Sequence, residues 1–229
     1  MKFKERVLNA FTRLLLRAAC RIDAEEMKLI PWDGPALLLS NHVTNIEGPL
    51  YYVFLRPRKM TALAKRELWD NPVTRLFMNT WNIIPIARGG VDSNAMRECM
   101  RALDEGYILG MAAEGTRSKT GRLRKGQPGA TLLATRKDVP LFPIVHWGLL
   151  DLKANLKRLR RTPVSVRVGK PFRLRKPGDG SITSADRRRM VDEMMYQLAV
   201  LLPPELRGDY ADLSKMTTDY VQFVSDELG

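Results

Sequence analysis

Ala36-Leu37-Leu38-Leu39-Ser40 runs straight into Asn41-His42-Val43-Thr44-Asn45-Ile46-Glu47. An apolar run of strand length delivers the chain to a segment of polar and titratable side chains. The same pattern recurs. Met60 to Lys65 is a short strand ending on a lysine, and Ile83-Ile84-Pro85-Ile86-Ala87 is a strand ending at Arg88. Tyr107 to Ala113 is a strand ending at Glu114. Leu141 to Trp147 and Val164 to Val168 are further strands. Between them lie helical patterns over Gly48 to Leu55, Val73 to Trp81, Ser93 to Glu105 with Ser93 as N-cap, Pro128 to Arg136, and Ser184 to Leu202. Continuously apolar strands alternating with helices predict an α/β fold, a mainly parallel sheet flanked by helices on both faces. In such sheets ligands bind beyond the carboxyl ends of the strands. His42, Lys65, Arg88 and the stretch from Glu114 to Arg117 all fall there, which predicts one shared site.

The spacing of His42 and Glu47 carries chemistry only in one local geometry. Five residues along a helix leave two side chains on different faces. The two can meet if His42 lies on the loop after the strand and Glu47 in the first turn of the next helix, with Asn45 as a possible cap. A carboxylate on one imidazole nitrogen fixes the tautomer and leaves the other nitrogen free to take a proton. The alternative is a structural histidine at the turn. The chain has two histidines; His146 sits in the apolar run Phe142 to Trp147 and reads as a core or lining residue. In Glu114-Gly115-Thr116-Arg117-Ser118, Gly115 permits a tight turn, and Thr116 and Arg117 can aim donors at an anion. The alternative is a solvated turn. The following Lys119-Thr120-Gly121 fails the spacing of a nucleotide-binding P-loop.

Composition narrows the partners. The chain has 229 residues, 45% of them hydrophobic, so it can bury a full core. A net charge of +13 favours nucleic acid, an anionic membrane surface or phosphorylated substrates. Cys20 and Cys99 show no metal or disulfide spacing and read as reduced, in a cytosolic compartment. No stretch reaches the about eighteen apolar residues of a membrane span, and no signal peptide is legible. Val7 to Ile22 reads as an amphipathic helix, with Phe3, Val7, Phe11, Leu14, Leu15, Ala18 and Ile22 on one side and Lys2, Arg6, Asn9, Arg13, Arg17 and Arg21 on the other. It suits either the headgroup boundary of a bilayer or a surface helix packed on the domain. The expected organisation is this helix over 1–24, a domain over 25–212, and a C-terminal helix over 213–229.

In order, four blocks resemble the lysophospholipid acyltransferase family, typified by 1-acyl-glycerol-3-phosphate acyltransferase. They are Asn41-His42 through Glu47, Pro85 to Arg88, Glu114 to Ser118, and Val139-Pro140-Leu141-Phe142-Pro143. Ala64-Lys65-Arg66-Glu67-Leu68 and the stretch Leu201 to Tyr210 also look family-like. Glu47 stands where the family usually has aspartate, and Ala113 where proline usually precedes the third block. The resemblance implies transfer of an acyl group from acyl-CoA or acyl carrier protein to a lysophospholipid hydroxyl. His42 would be the base and Glu47 its orienter. Arg88, Arg117 and Lys65 would hold phosphate, and Glu114, Gly115 and Thr116 would line the acceptor, Glu114 hydrogen-bonding the glycerol or bracing the arginines. It implies no metal and no cofactor beyond the acyl donor, and a peripheral place on the cytoplasmic face of a membrane. The rival readings are a basic nucleic-acid-binding module and an inactive lipid-binding member. Against the first, aromatics make up 7% and do not interleave with Lys157 to Arg161.

Overall fold

The computed structural model describes residues 3–87, 92–178 and 180–224. The chain runs α1 (Phe3–Ala19), β1 (Cys20–Asp23), β2 (Ala36–Ser40), α2 (Glu47–Leu55), β3 (Met60–Lys65), α3 (Pro72–Thr80) and β4 (Ile84–Ile86). It continues α4 (Ser93–Asp104), β5 (Ile108–Ala112), α5 (Gly129–Lys137), β6 (Leu141–Trp147) and α6 (Leu152–Lys157). It ends β7 (Thr162–Val168), β8 (Phe172–Leu174), α7 (Ser184–Ala199) and β9 (Val221–Phe223). The strands form one sheet in the order β1-β7-β6-β2-β5-β3-β4, with β8 on β6 and β9 on β8.

The centre of that sheet is parallel. β2 pairs with β5 and β6, and β3 with β5 and β4, all in the same direction. Every residue of β2 is buried, as a strand covered on both faces requires. Its side chains divide with period 2. Leu37 and Leu39 enter a core with α4, α5 and α7, while Ala36 and Leu38 enter a second core with α2 and Trp81. The result is a helix–sheet–helix sandwich, the α/β fold expected from the alternation, with β2, β3, β4, β5 and β6 opening their carboxyl ends on one edge.

Several local expectations are corrected. The N-terminal helix ends at Ala19 rather than Ile22, because Cys20–Asp23 pairs in register with Thr162 to Ser165 as a strand. The stretch 1–24, expected as a helix, therefore includes a strand of the domain's sheet. The N-cap of α4 is Asp92, whose carboxylate accepts from the amides of Asn94 and Ala95. Asn45 does not cap α2; Thr44 Oγ1 accepts from the Ile46 amide instead. Helix α7 ends at Ala199, short of Leu202. The expected C-terminal helix is absent as far as Val224; a 3-10 turn at Leu213–Lys215 leads to β9. Glu193, buried on α7, accepts from Thr217 Oγ1 and the amides of Asp219 and Tyr220, and this holds the segment extended. Residues 225–229 of that expectation lie outside the described residues. Strand β8 and helix α6 carry no strong sequence pattern and were not expected.

The amphipathic helix is oriented against the usual rule. Asn9, Thr12 and Leu16 are its buried residues, while Phe3, Phe11 and Leu14 are 79%, 54% and 65% exposed. Asn9 Oδ1 accepts from Trp81 Nε1 at 2.9 Å, Arg13 donates to the Val53 carbonyl, and Glu5 pairs with Arg56. Arg13 and Arg17 lie over the Phe54 ring. A mixed face docks and the apolar face points away from the domain. Among the described residues no helix is long and apolar enough to cross a membrane.

Candidate active site

Past the end of β2 the chain is held by β6 and by the loop after β5. Asn41, buried, donates from Nδ2 to the His146 carbonyl at 2.9 Å and accepts the His146 amide on Oδ1 at 3.0 Å. This two-way clasp continues the pairing of β2 with β6 past the end of their ladder. His42 is next, and its main chain is held on both sides. Its amide donates to Glu114 Oε1 at 2.9 Å, and its carbonyl accepts the Ser118 amide at 2.7 Å.

Its side chain meets Glu47 as the spacing predicts, across the turn between strand and helix. His42 Nδ1 bonds Glu47 Oε1, and Glu47 is the first residue of α2. The second carboxylate oxygen accepts from the amide of Thr44 at 2.9 Å and its hydroxyl at 2.8 Å. The His42 side chain is 24% exposed and that of Glu47 7%. Burial works to raise the Glu47 carboxyl, but the bond from His42, the nearby imidazoles and Thr44 hold it below its ordinary value. The carboxylate is thus ionised, takes Nδ1 and leaves Nε2 of His42 directed away from it. That is the geometry of an imidazole poised to accept a proton.

Glu114 lies two residues past the end of β5, buried beneath the loop it begins. Besides the His42 amide it accepts the Arg124 amide on Oε2 at 3.0 Å. Burial pushes its carboxyl up to about 7 against the pull of those two donors. Its oxygens brace main chain rather than arginine side chains. Gly115 adopts a φ of +65°, and a Cβ there would come within 2.9 Å of Gln127 Cγ, so the tight turn and the close approach both require glycine. Thr116 and Arg117 are exposed on the same loop. Lys65 closes β3, half-buried and paired in register with Ile86 of β4. Arg88 lies outside the described residues. His42, Glu47, Lys65 and the Glu114 loop therefore share the carboxyl edge.

Three participants were not singled out from the sequence. Thr44 holds Glu47, Asn41 clasps β6, and His146, expected in the core or lining, faces Glu47 from within the sheet. Its ring is fully buried, with Nδ1 2.7 Å from the Tyr51 hydroxyl and Nε2 3.8 Å from Glu47 Oε2. A histidine inside an otherwise apolar strand was the one available signal.

Beside Thr44 and Ile46 opens a groove of about 580 Å³, floored by Leu149, Leu152 and Leu156 and rimmed by Lys153 and Lys157.

This architecture is similar to that of a solved structure, the 1-acyl-sn-glycerophosphate (LPA) acyltransferase from Thermotoga maritima. The TM-score is 0.62 at 22% identity, over 83% of this chain and 76% of that one, a likeness of fold. In sequence the chain is similar to the chloroplastic 1-acyl-sn-glycerol-3-phosphate acyltransferase LPAT1 of Arabidopsis thaliana, 25% identical over 64% of this chain and 42% of that protein. It is 30% identical to a probable 1-acyl-sn-glycerol-3-phosphate acyltransferase of Mycoplasma genitalium, over 58% of this chain and 51% of that one. The chain thus spans about half the length of these curated relatives. The acyltransferase family model matches residues 21–147, more than half of the chain and the stretch that builds β2, α2, β5 and the loops carrying His42, Glu47 and Glu114; the chain belongs to the acyltransferase family.

Proposed function

We propose that the chain moves a fatty acyl group from a thioester, on coenzyme A or acyl carrier protein, to the free hydroxyl of a lysophospholipid at an anionic membrane surface. The acceptor that fits best is 1-acyl-glycerol-3-phosphate, the substrate in the names of its relatives, and the product is then phosphatidic acid. The observation that carries this reading is the His42–Glu47 pair at the carboxyl edge of the parallel sheet, with Nε2 of His42 open.

In the reaction His42 Nε2 takes the proton of the acceptor hydroxyl as its oxygen attacks the thioester carbonyl. Glu47 balances the imidazolium that forms. The tetrahedral intermediate expels the thiolate, which recovers the proton from His42, giving an ester and a free thiol. Arg117 on the exposed loop, Lys65 and Arg88 carry the charge to hold the acceptor's phosphate, arginine in a two-pronged bond. Glu114 shapes the loop, and Gly115 and Thr116 offer it to the acceptor. The apolar groove beside Thr44 suits an alkyl chain, and its two lysines suit an anionic headgroup or carrier.

Two observations support work at a membrane surface. The exposed apolar face of α1 matches the depth at which amphipathic helices lie in headgroups. The net charge of +13 favours an anionic leaflet. Helix α3 adds Val73 and Leu76, 63% and 55% exposed.

The test is a panel of lysolipids with labelled acyl-CoA and acyl carrier protein, read by product mass and thiol release. A new diacyl product that depends on both substrates is expected. No lysolipid-dependent thiol release from either donor would remove this reading.

A further inference from the structure

The proton-transfer scheme has no use for His146, a titratable side chain beside the site. It lies on β6, fully buried, opposite Val166 of β7 in register. Two groups on α2 face it. The Tyr51 hydroxyl is 2.7 Å from Nδ1, and Glu47 Oε2 is 3.8 Å from Nε2. Nε2 has no hydrogen-bond partner among the described residues. A buried polar nitrogen left without a bond calls for an explanation.

The surroundings decide where the ring proton sits. Burial drives the ring to its neutral form, lowering its pKa to about 4. A neutral imidazole carries one proton. If that proton were on Nδ1, the lone pair of Nε2 would point at a carboxylate in a dry site. With the proton on Nε2, the N–H dipole points at the negative charge and Nδ1 accepts from Tyr51. Burial raises the Tyr51 hydroxyl well above its ordinary value, so it keeps the proton it donates. The separation of 3.8 Å is too long for a full hydrogen bond, so the interaction is that of a dipole aimed at a charge. Glu47 also lies one methylene farther from its backbone than the aspartate usual at this position of the family.

We propose that His146 is a positioning residue for the proton-transfer pair: its Nε2–H, set in that tautomer by Tyr51, faces Glu47 and holds the carboxylate that orients His42. This rests on the acyl-transfer reading for its kinetic consequence but not for its geometry. The dipole shares the carboxylate's charge. Without it, Glu47 holds the proton on His42 more tightly, and His42 must shed that proton to act as base. Among the described residues, the titratable groups that face this pair are His146 from β6, Tyr51 from α2 and Glu114 from the loop after β5.

Two measurements test it. Glutamine at 146 can place an amide N–H where Nε2 stands, whereas asparagine reaches only the position of Nδ1. In kcat/KM against pH, His146→Gln is expected to keep the acid limb within about 0.3 unit of the parent, and His146→Asn to move it up by about one unit. Equal displacement of both, or movement in neither, overturns the proposal and leaves His146 as packing. The second measurement needs no activity and neither of the variants at 146. With two histidines in the chain, labelled imidazole ¹⁵N spectra contain two ring systems. The His146 ring is expected neutral, protonated on Nε2, from about pH 5 to 8, with its Nε2 signal displaced by Glu47→Gln. A ring protonated on Nδ1 overturns the proposal. If the parent transfers no acyl group from either donor, the acyl-transfer reading fails, and the spectrum still decides the placement of His146.

Discussion

The imidazole of His42 has Nδ1 occupied by Glu47 and a side chain about a quarter exposed, so substitution there touches chemistry more than packing. His42→Ala is expected to leave the fold intact and lower turnover by roughly two to four decades, the range for losing a general base. Near-parental turnover in folded protein would sink the mechanism. Glu47 is a different case, since its oxygens hold both His42 and Thr44. Glu47→Asp keeps charge and is expected to retain appreciable activity. Glu47→Gln keeps length but offers an N–H where Nδ1–H or the Thr44 donors need an acceptor, and is expected to fall further. The ordering of kcat at saturating donor is the check. Arg117 makes a third case: exposed and outside the core, its alanine variant is expected to raise KM for the lysolipid more than for the acyl donor. The loss corresponds to a charge-assisted contact of about 1.5–3 kcal/mol. A rise confined to the donor would reassign Arg117 to the donor's phosphates. At this scale the sequence was legible where a motif sets a local contact. His42 and Glu47 meet across the strand–helix turn that their spacing allows, whereas Thr44 and Asn41 act through hydrogen bonds that no periodicity encodes.

Helix α1 separates two kinds of apolar residue that hydropathy alone treats alike. Leu16 is buried, so Leu16→Ala is expected to cost about 2–4 kcal/mol of stability. Phe11 and Leu14 are exposed, so Phe11→Ser and Leu14→Ser are expected to change stability by no more than about 0.5 kcal/mol. The same pair is expected to weaken sedimentation with anionic vesicles, and salt to weaken it in the parent. Parental vesicle binding in the double variant would return α1 to a helix that merely covers the domain. The element pattern shows why periodicity left the orientation open. An amphipathic stripe says that one face is apolar, not which way it points; here Asn9, Glu5 and Arg13 find partners on Trp81, Arg56 and Val53 and turn the helix over. The central strands were legible because burial on both faces makes them continuously apolar. β1, β8 and β9 were not, because each is three or four residues long and owes its state to a neighbour's edge.

For the whole molecule, two buried groups shape the dependence of stability on pH, with opposite signs. Glu114 has a folded pKa of about 7 against an ordinary 4.5, so the fold keeps a proton that the unfolded chain gives up. Its contribution is fully present below about pH 4.5 and is lost as pH rises through about 7. His146 has a folded pKa of about 4 against an ordinary 6.5, so the unfolded chain takes up a proton the fold refuses. Its contribution is present above about pH 6.5 and is lost as pH falls through about 4. Denaturant midpoints at about pH 5 and pH 8 check this. Relative to the parent, Glu114→Gln is expected to gain stability at the higher pH compared with the lower. No change in that difference would mean that Glu114 titrates normally. The α/β class was readable, and so was the gathering of His42, Lys65 and Glu114 at one edge of the sheet, since alternation and connection rules dictate both. The inner bracing of the site was not, because it joins residues about seventy and a hundred positions apart through main-chain groups. That bracing changes how the loop after β2 should exchange hydrogen with solvent. Surface loops lose their amide protons quickly, but the amides of His42, Ser118 and Arg124 each end on an acceptor inside the protein. Those of His42 and Ser118 can exchange only when the loops after β2 and β5 part, and that of Arg124 only when its loop lifts off Glu114. In deuterated water these three amides should therefore outlast those of Asn45 and Lys119 in the same turns, a slow island marking where the molecule holds its reactive ring still.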